Sequence, residues 1–352
     1  MKSKNKLIKQ KKQLTVLSKK GLGEDLSFSI IIPNYNGATF LFDCLYSLYQ
    51  SIKFTTANFE IIIVDNHSTD NSLDIIKIFF DQYRSTKLTT KIISSPKNLG
   101  FAKAVNLGIS QAKYKFIIPC NNDLTLEKNW FEIIFKTIKN NQDPLITTFF
   151  GTVLNKTGDK YESQGLKFFV SGKCQNASNS KPFHKSDLPK TNKLIWGASA
   201  ALVVYQKNII NKIGMFDQDF FAYEEDVDLA LRLSNFGYKT LYIPQAISYH
   251  LGGGTSNQMG NFRARMDVKN WFFIIIKNYS LKDIFKNFPQ ITEERLRNLS
   301  YLIKTTIKFY KFRATYYLPI SIIKTYCQVL IKLPKMINKR KQIKKLLKSI
   351  KI

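Results

Sequence analysis

An α/β fold, with a mostly parallel central sheet flanked by helices, is what the sequence predicts. Three observations predict it: fully apolar runs of strand length recur, amphipathic stretches of helical length separate them, and Asn, Asp, Gly and Pro punctuate the turns. Residues 28–33 (FSIIIP) read as a strand buried on both faces and closed by Pro33. The polar turn NYNGAT (34–39) leads into an amphipathic helix over 40–52. Residues 59–64 (FEIIIV) form a second buried strand ending at Asp65, and the helix that follows has Asp70 or Ser72 as its N-cap. A third strand is expected at 91–94, a third helix at 101–112 and a fourth strand at 114–118, before Pro119. Ligands of such sheets sit beyond the carboxyl ends of the strands. The polar clusters Asn34–Asn36, Asp65–Asp70, Asn98–Gly100 and Asn121–Asp123 all fall there, so a binding cleft is expected along that edge.

From about 145 to 193 the sequence turns rich in Gly, Ser, Asn and Lys, with short β-like pieces, and reads as an irregular excursion over the site. Order returns at 194–204 (LIWGASAALVV). A helix is expected over 206–212 and another within 216–237, stopped by Gly237. Two short strands follow, 240–244 and one starting at 246, the second running into the glycine-rich loop GGGTS.

The charge is uneven. Of the formal +29, residues 1–20 carry +8 and residues 270–352 carry 19 basic against three acidic side chains, leaving a nearly balanced centre. We therefore expect a basic N-terminal extension (1–26), a catalytic domain (27–269) and a basic, aromatic-rich helical region (270–352). In that last region aromatic and aliphatic residues interleave with lysines, a pattern suited either to helices on an anionic membrane surface or to a helical appendage packed on the main domain. Four widely spaced cysteines without a CxxC pair, and no apolar leader, predict a cytoplasmic protein peripherally associated with the inner face of the membrane. No RNA or DNA motif is present, so no nucleic acid is expected as a partner.

Four carboxylates crowd into 224–228: Glu224, Glu225, Asp226 and Asp228. Such crowding repels unless it serves a purpose. Asp228 stands four residues before Arg232, the helical spacing of an ion pair.

The ordered set SIIIPNYNG (29–37), VDNHSTDNS (64–72), NLGFAKAVNLG (98–108), CNNDLTLEKNW (120–130), WGASAALVV (196–204), GMFDQDFFAYEEDVDLALR (214–232) and ISYHLGGGTS (247–256) resembles the inverting glycosyltransferases of family 2. The branch it is most similar to is rhamnosyltransferase-like and builds bacterial surface polysaccharide. That resemblance implies the GT-A fold, a Rossmann-like sheet, and transfer of a sugar from a dTDP- or UDP-sugar donor to a glycan or lipid-linked acceptor. It assigns Pro33, Asn34, Tyr35, Asn36 and Asp65 to the nucleotide pocket, with Asp65 on the pyrimidine base or, alternatively, capping the next helix. Asn98, Gly100 and Phe101 resemble the turn at ribose and diphosphate, and Asn121-Asn122-Asp123 the DxD metal motif, from which Asn121 departs. The implied cofactor is a divalent cation, magnesium or manganese, with Asp123 and His250 as its ligands. Asp226 takes the place of the base that deprotonates the acceptor, Glu225 shapes the acceptor site, and Trp196 and Gly197 match the acceptor-side motif. The glycines 252–254 and Ser256 are expected to fold over the diphosphate.

Other readings make different demands. A non-catalytic nucleotide-sugar-binding or scaffold protein on this fold would bind without turnover, and the intact acidic run argues against it. A dinucleotide oxidoreductase would need GxGxxG after the first strand, where the sequence has none.

Overall fold

The computed structural model describes residues 26–251 and 260–350. The basic N-terminal extension and the loop 252–256 lie outside them. In chain order the strands are β1 (Phe28–Asn34), β2 (Phe59–Asp65), β3 (Leu88–Ser94), β4 (Phe116–Pro119), β5 (Leu124–Leu126), β6 (Ile146–Asn155), β7 (Tyr161–Ser163), β8 (Leu166–Phe168), β9 (Cys174–Asn176), β10 (Lys193–Ile195), β11 (Val204–Gln206) and β12 (Lys239–His250). The helices are α1 (Ala38–Ile52), α2 (Ser72–Gln82), α3 (Phe101–Gln111), α4 (Trp130–Asn140), α5 (Lys207–Ile213), α6 (Glu225–Asn235), α7 (Phe262–Asn278), α8 (Leu281–Lys286), α9 (Phe288–Tyr310) and α10 (Ala314–Ile350).

The main sheet runs β10-β12-β6-β11-β4-β1-β2-β3. β4, β1, β2 and β3 run parallel to one another, as do β6 and β12, while β11 is antiparallel between β4 and β6 and β10 pairs antiparallel with β12. The apolar runs explain the centre. Every residue of β2 is buried, and Phe28, Phe59 and Phe131 pack ring to ring, with centroids 5.3 Å (Phe28–Phe59) and 4.7 Å (Phe59–Phe131) apart. Asp70 does not simply cap the helix after it. One of its oxygens accepts from Ser72 N at 3.1 Å, while the other crosses to Ala38 N at 3.0 Å, so one carboxylate ties the starts of α2 and α1 together.

Two expectations about the middle of the chain fail. Residues 146–155 are not irregular: they form β6, a ten-residue strand buried along nine of them, whose Thr147, Thr148 and Thr152 disguise a core strand as a polar one. The two short strands expected at 240–250 are a single strand, β12. Pro244 does not end it, because the missing N–H falls in a register shift between Ile243 and Ile247.

The C-terminal helices pack against α6 and the segment around Phe220. The division expected at 269/270 falls inside α7. Met336 of α10, fully buried, joins Trp271, Phe273 and Ile274 of α7 and Phe220, Val227 and Leu231 in one cluster. α7, α9 and α10 share a second cluster through Ala264, Val268 and Leu302, flanked by Ile322 and Tyr326.

Candidate functional site

A cavity of about 1040 Å³ opens at the carboxyl ends of β1, β2 and β4. Its floor is built of amides. Asn34, fully buried, accepts from Asn122 Nδ2 at 2.7 Å and donates to Ser68 Oγ at 3.1 Å. Asn66, which sequence reasoning passed over between Asp65 and His67, donates to Asn98 Oδ1 at 3.0 Å and accepts from Leu99 N at 2.7 Å. Asn98 in turn accepts from Gly100 N at 2.9 Å, which sets the turn before α3. Gly100 has φ +76°, and a Cβ there would stand 2.5 Å from the Phe221 carbonyl oxygen, so only glycine fits.

Pro33, Asn34, Tyr35, Asn98, Gly100, Phe101, Asn121, Asn122, Asp123, Glu225, Asp226 and His250 all line this cavity. Four sequence-predicted residues are not among its lining. Asp65 is 3 % exposed and braces the floor, accepting from Ser68 N and from Asn34 Nδ2. Asn36 is exposed beside it and accepts from Thr69 N at 2.8 Å. Trp196 stacks on Phe168 with centroids 4.8 Å apart, and Gly197 lies against Ala230 of α6, so both residues hold β8 and α6 together.

On one wall, His250 Nε2 meets Asp123 Oδ1 at 3.0 Å and Nδ1 meets Glu162 Oε1 at 2.6 Å, while Asn121 Nδ2 stands 3.2 Å from Nε2. Burial opposes a charge on this ring, but the two carboxylates outweigh it and hold its pKa up at about 10, so a cation binding at Nε2 would have to displace that proton. A carboxylate oxygen and an imidazole nitrogen converge here on the cavity, with a second carboxylate orienting the ring from behind. That donor set fits a divalent cation. Among the described residues no group of three or more His, Cys, Asp or Glu side chains is arranged to hold a metal, so the pair would need donors from a ligand or water. Glu162 lay in the stretch read as irregular, where no pattern marked it.

The acidic run occupies another wall. Phe221, Tyr223 and Glu224 have φ of 69°, 68° and 64°, a cluster of left-handed non-glycine residues immediately before α6. Each costs about 1–3 kcal/mol and persists only where the surroundings impose it. Asp226 Oδ2 accepts from Ala200 N at 3.1 Å and Oδ1 from Val227 N at 2.8 Å. Burial raises its pKa, against the pull of those bonds. Glu225 is 6 % exposed, and its Oε2 has no hydrogen-bond partner. Burial and the neighbouring Asp226 push its pKa up to about 8. Burial and the neighbouring carboxyl thus favour the protonated form of Glu225 near neutrality.

A stability prediction follows with its sign. An unfolded Glu ionises near about 4.3, whereas folded Glu225 stays protonated up to about 8. Within that window the folded state binds the extra proton, so stability falls as pH rises. Glu225→Gln removes this penalty. Its melting temperature is expected to exceed the parent's by a margin that grows from weakly acidic to mildly alkaline pH, read by thermal denaturation. A margin flat across pH would contradict this environment for Glu225.

Asp228 is fully buried and does not face the cavity. It pairs with Arg232 (Nε 2.9 Å) as the spacing predicts, and also with Lys277 Nζ at 2.8 Å and Asn278 Nδ2 at 3.0 Å of α7. Lys277 reaches Asp217 at 2.7 Å, and Lys339 of α10 pairs with Asp217 and Asp219. Lys332 and Lys335 meet Asp219, each at 3.0 Å.

Comparison with known proteins places this geometry. The model described as Glycosyl transferase family 2 matches residues 29–214, just over half of the chain. Glycosyltransferase GlyG of Streptococcus pneumoniae serotype 4 is 28% identical over 144 residues, covering 41% of this chain and 44% of GlyG. Poly(ribitol-phosphate) beta-N-acetylglucosaminyltransferase TarP of Staphylococcus aureus is 24% identical over 284 residues, covering 77% and 76%. The chain spans about half the length of the first few curated relatives it matches. The fold is shared with the mannosyltransferase PcManGT of Pyrobaculum calidifontis, solved with GDP-Man and Mn2+, at a TM-score of 0.52 and 15% identity over 91% of this chain and 88% of that one.

Proposed function

Since the chain belongs to glycosyl transferase family 2, we propose that it moves a sugar, with inversion, from a nucleoside diphosphate donor to a hydroxyl of a glycan or lipid-linked acceptor in cell-surface polysaccharide synthesis. One observation carries the reading: Asp123, His250 and Asp226 line the same cavity. The nucleotide lies along the strand ends, against Pro33–Tyr35, the turn Asn98–Phe101 and Asn121-Asn122. Asp123 and His250 would hold the magnesium or manganese ion. When bound, such an ion neutralises charge on the departing diphosphate. Asp226 accepts the proton of the acceptor hydroxyl as that oxygen bonds to the anomeric carbon and the bond to the diphosphate breaks. Attack from the face opposite the leaving group inverts the centre. Glu225, protonated beside it, adds no second negative charge where the acceptor enters.

The relatives sharpen the choice of donor. TarP is named for N-acetylglucosamine, so UDP-N-acetylglucosamine is the first donor to test and dTDP-rhamnose the second. A thermal-shift and nucleotide-release screen of these sugars, with and without Mn2+, is expected to find one donor that stabilises the protein and releases nucleotide only with the metal. Stabilisation without release for every donor and acceptor extract would favour the non-catalytic reading instead.

The C-terminal helices supply a membrane-docking face. Phe285, Phe312, Tyr316, Ile323 and Ile331 are 62–85 % exposed on helices whose Lys282, Lys286, Lys304, Lys308 and Lys324 carry positive charge. Among the described residues no helix is long and apolar enough to cross a membrane. Flotation with anionic liposomes is expected at low salt and to weaken at high salt. Equal recovery in the soluble fraction at both salts would remove the docking face from the account.

A further inference from the structure

The acidic run sits at the end of a backbone segment that its own sequence does not stabilise. Phe221, Tyr223 and Glu224 all take left-handed conformations, none is glycine, and the turn has no side-chain cap of its own at Glu224. While the Phe221 carbonyl accepts from Ala102 N at 3.2 Å, those of Phe220, Ala222 and Tyr223 face α7. There one side chain gathers three of them: Asn270 Nδ2 donates to Tyr223 O at 2.7 Å, Ala222 O at 2.8 Å and Phe220 O at 3.2 Å. Asn270 is fully buried. Lys269, also buried, adds Phe220 O at 3.1 Å and Asp219 O at 3.2 Å. Four carbonyls of one segment, at 219, 220, 222 and 223, are thus held by two neighbouring residues of α7, neither of which is among the cavity lining.

The geometry points to Asn270 as a positioning residue for the transfer reaction, with Lys269 as its auxiliary: the bracket on the 219–223 carbonyls fixes where α6 begins and so where Asp226 meets the acceptor. Only an uncharged donor with two N–H bonds suits the place. Aspartate would aim negative oxygen at three carbonyls, and alanine would leave them buried without partners. The strained turn would then relax toward ordinary backbone angles and carry Asp226 with it. A displacement of about 1 Å in a reacting group costs about 10²-fold in rate.

This inference rests on Asp226 being the base, and its test is built to separate the two. Asn270→Ala, Asp226→Asn and the double variant are compared by nucleotide release from UDP-N-acetylglucosamine with Mn2+, or from whichever donor the screen selects, alongside UDP affinity by calorimetry. In the parent background Asn270→Ala is expected to lower kcat by about 10²-fold with UDP affinity kept. In the Asp226→Asn background it is expected to change the residual rate very little, because the group it positions is already gone. Losses that multiply in the double variant, or a folded Asn270→Ala protein with parental kcat, would overturn the positioning role. A fully active Asp226→Asn protein would instead sink the base assignment itself, and the single Asn270 result would be read on its own. If Asn270→Ala does not fold, Lys269→Met takes its place in the same cycle, removing only the auxiliary bonds.

Discussion

Asp226→Asn is expected to lower turnover by about 10²–10⁴-fold, the share a positioned proton acceptor contributes, while leaving the protein folded. The substitution is nearly isosteric. Its oxygen can keep the bond from Val227 N at 2.8 Å, while the bond from Ala200 N at 3.1 Å and that with the Ser199 side chain lose the carboxylate as acceptor. That loss is offset, because a buried charge next to Glu225 disappears with it. Nucleotide affinity should stay close to the parent's, since the amide floor of the cavity around Asn34, Asn66 and Asn98 does not touch residue 226. The pH dependence gives a second check. A base works when ionised, so kcat of the parent should rise with pH through a value above the ordinary carboxylate range, as burial of Asp226 requires. The residual rate of Asp226→Asn should lack that limb. Parental kcat in the variant would remove Asp226 from the reaction.

Asp228→Ala should strike stability instead. Its carboxylate is fully buried between Arg232, Lys277 and Asn278, and both cations are themselves buried. Deleting one partner of such a pair costs about 3–5 kcal/mol, because the other charge is left without compensation. Lys277 retains Asp217 at 2.7 Å and Arg232 retains the carbonyls of Ile213 and Met215, which places the expected loss toward the lower end of that range. Acid should narrow the difference. Burial works against ionised Asp228, but Arg232 and Lys277 outweigh it and hold its pKa below the usual value. Its contribution is therefore complete above the unfolded carboxylate range and fades as pH falls through the lowered folded value. Urea denaturation at neutral pH and near pH about 3 measures both. A variant within about 1 kcal/mol of the parent at neutral pH, the ordinary size of a substitution effect, would show the network to be dispensable.

Much of this arrangement is legible in the sequence, for identifiable reasons. The three strands ending at Asn34, Asp65 and Pro119 announce themselves because both of their faces are buried, leaving unbroken apolar runs with polar residues at the tips, whereas the edge strand β3 (LTTKIIS) is mostly exposed and only its end, 91–94, is legible. The Asp228–Arg232 pair follows from helical spacing alone. What could not be read depended on distant partners. β6 reads as a β-like piece over 147–154, but that it is a core strand beside β12 depends on distant partners such as Tyr242, whose hydroxyl bonds with that of Thr152 at 2.6 Å. Glu162 gains its meaning from His250, 88 residues away, and Asn270 from carbonyls 47–50 residues earlier. Trp196 shows another dependence on a distant partner: an aromatic side chain next to a glycine looks available for a sugar ring, and in the fold one face of it stacks on Phe168.

The tie between α10 and the segment before α6 bears on how parts of this chain could be exchanged with those of relatives. The match to the family model ends at residue 214, an inviting place to splice a chimera that swaps donor preference. Such a hybrid would import the first four strands intact and leave the helix that carries Asp226 propped by foreign buttresses. Lys269, Asn270 and Lys277, and then Lys332, Lys335 and Lys339, all reach back across the junction. The smallest portable module therefore extends from Phe28 through Lys339, and grafts cut shorter should recover nucleotide recognition well before they recover catalysis.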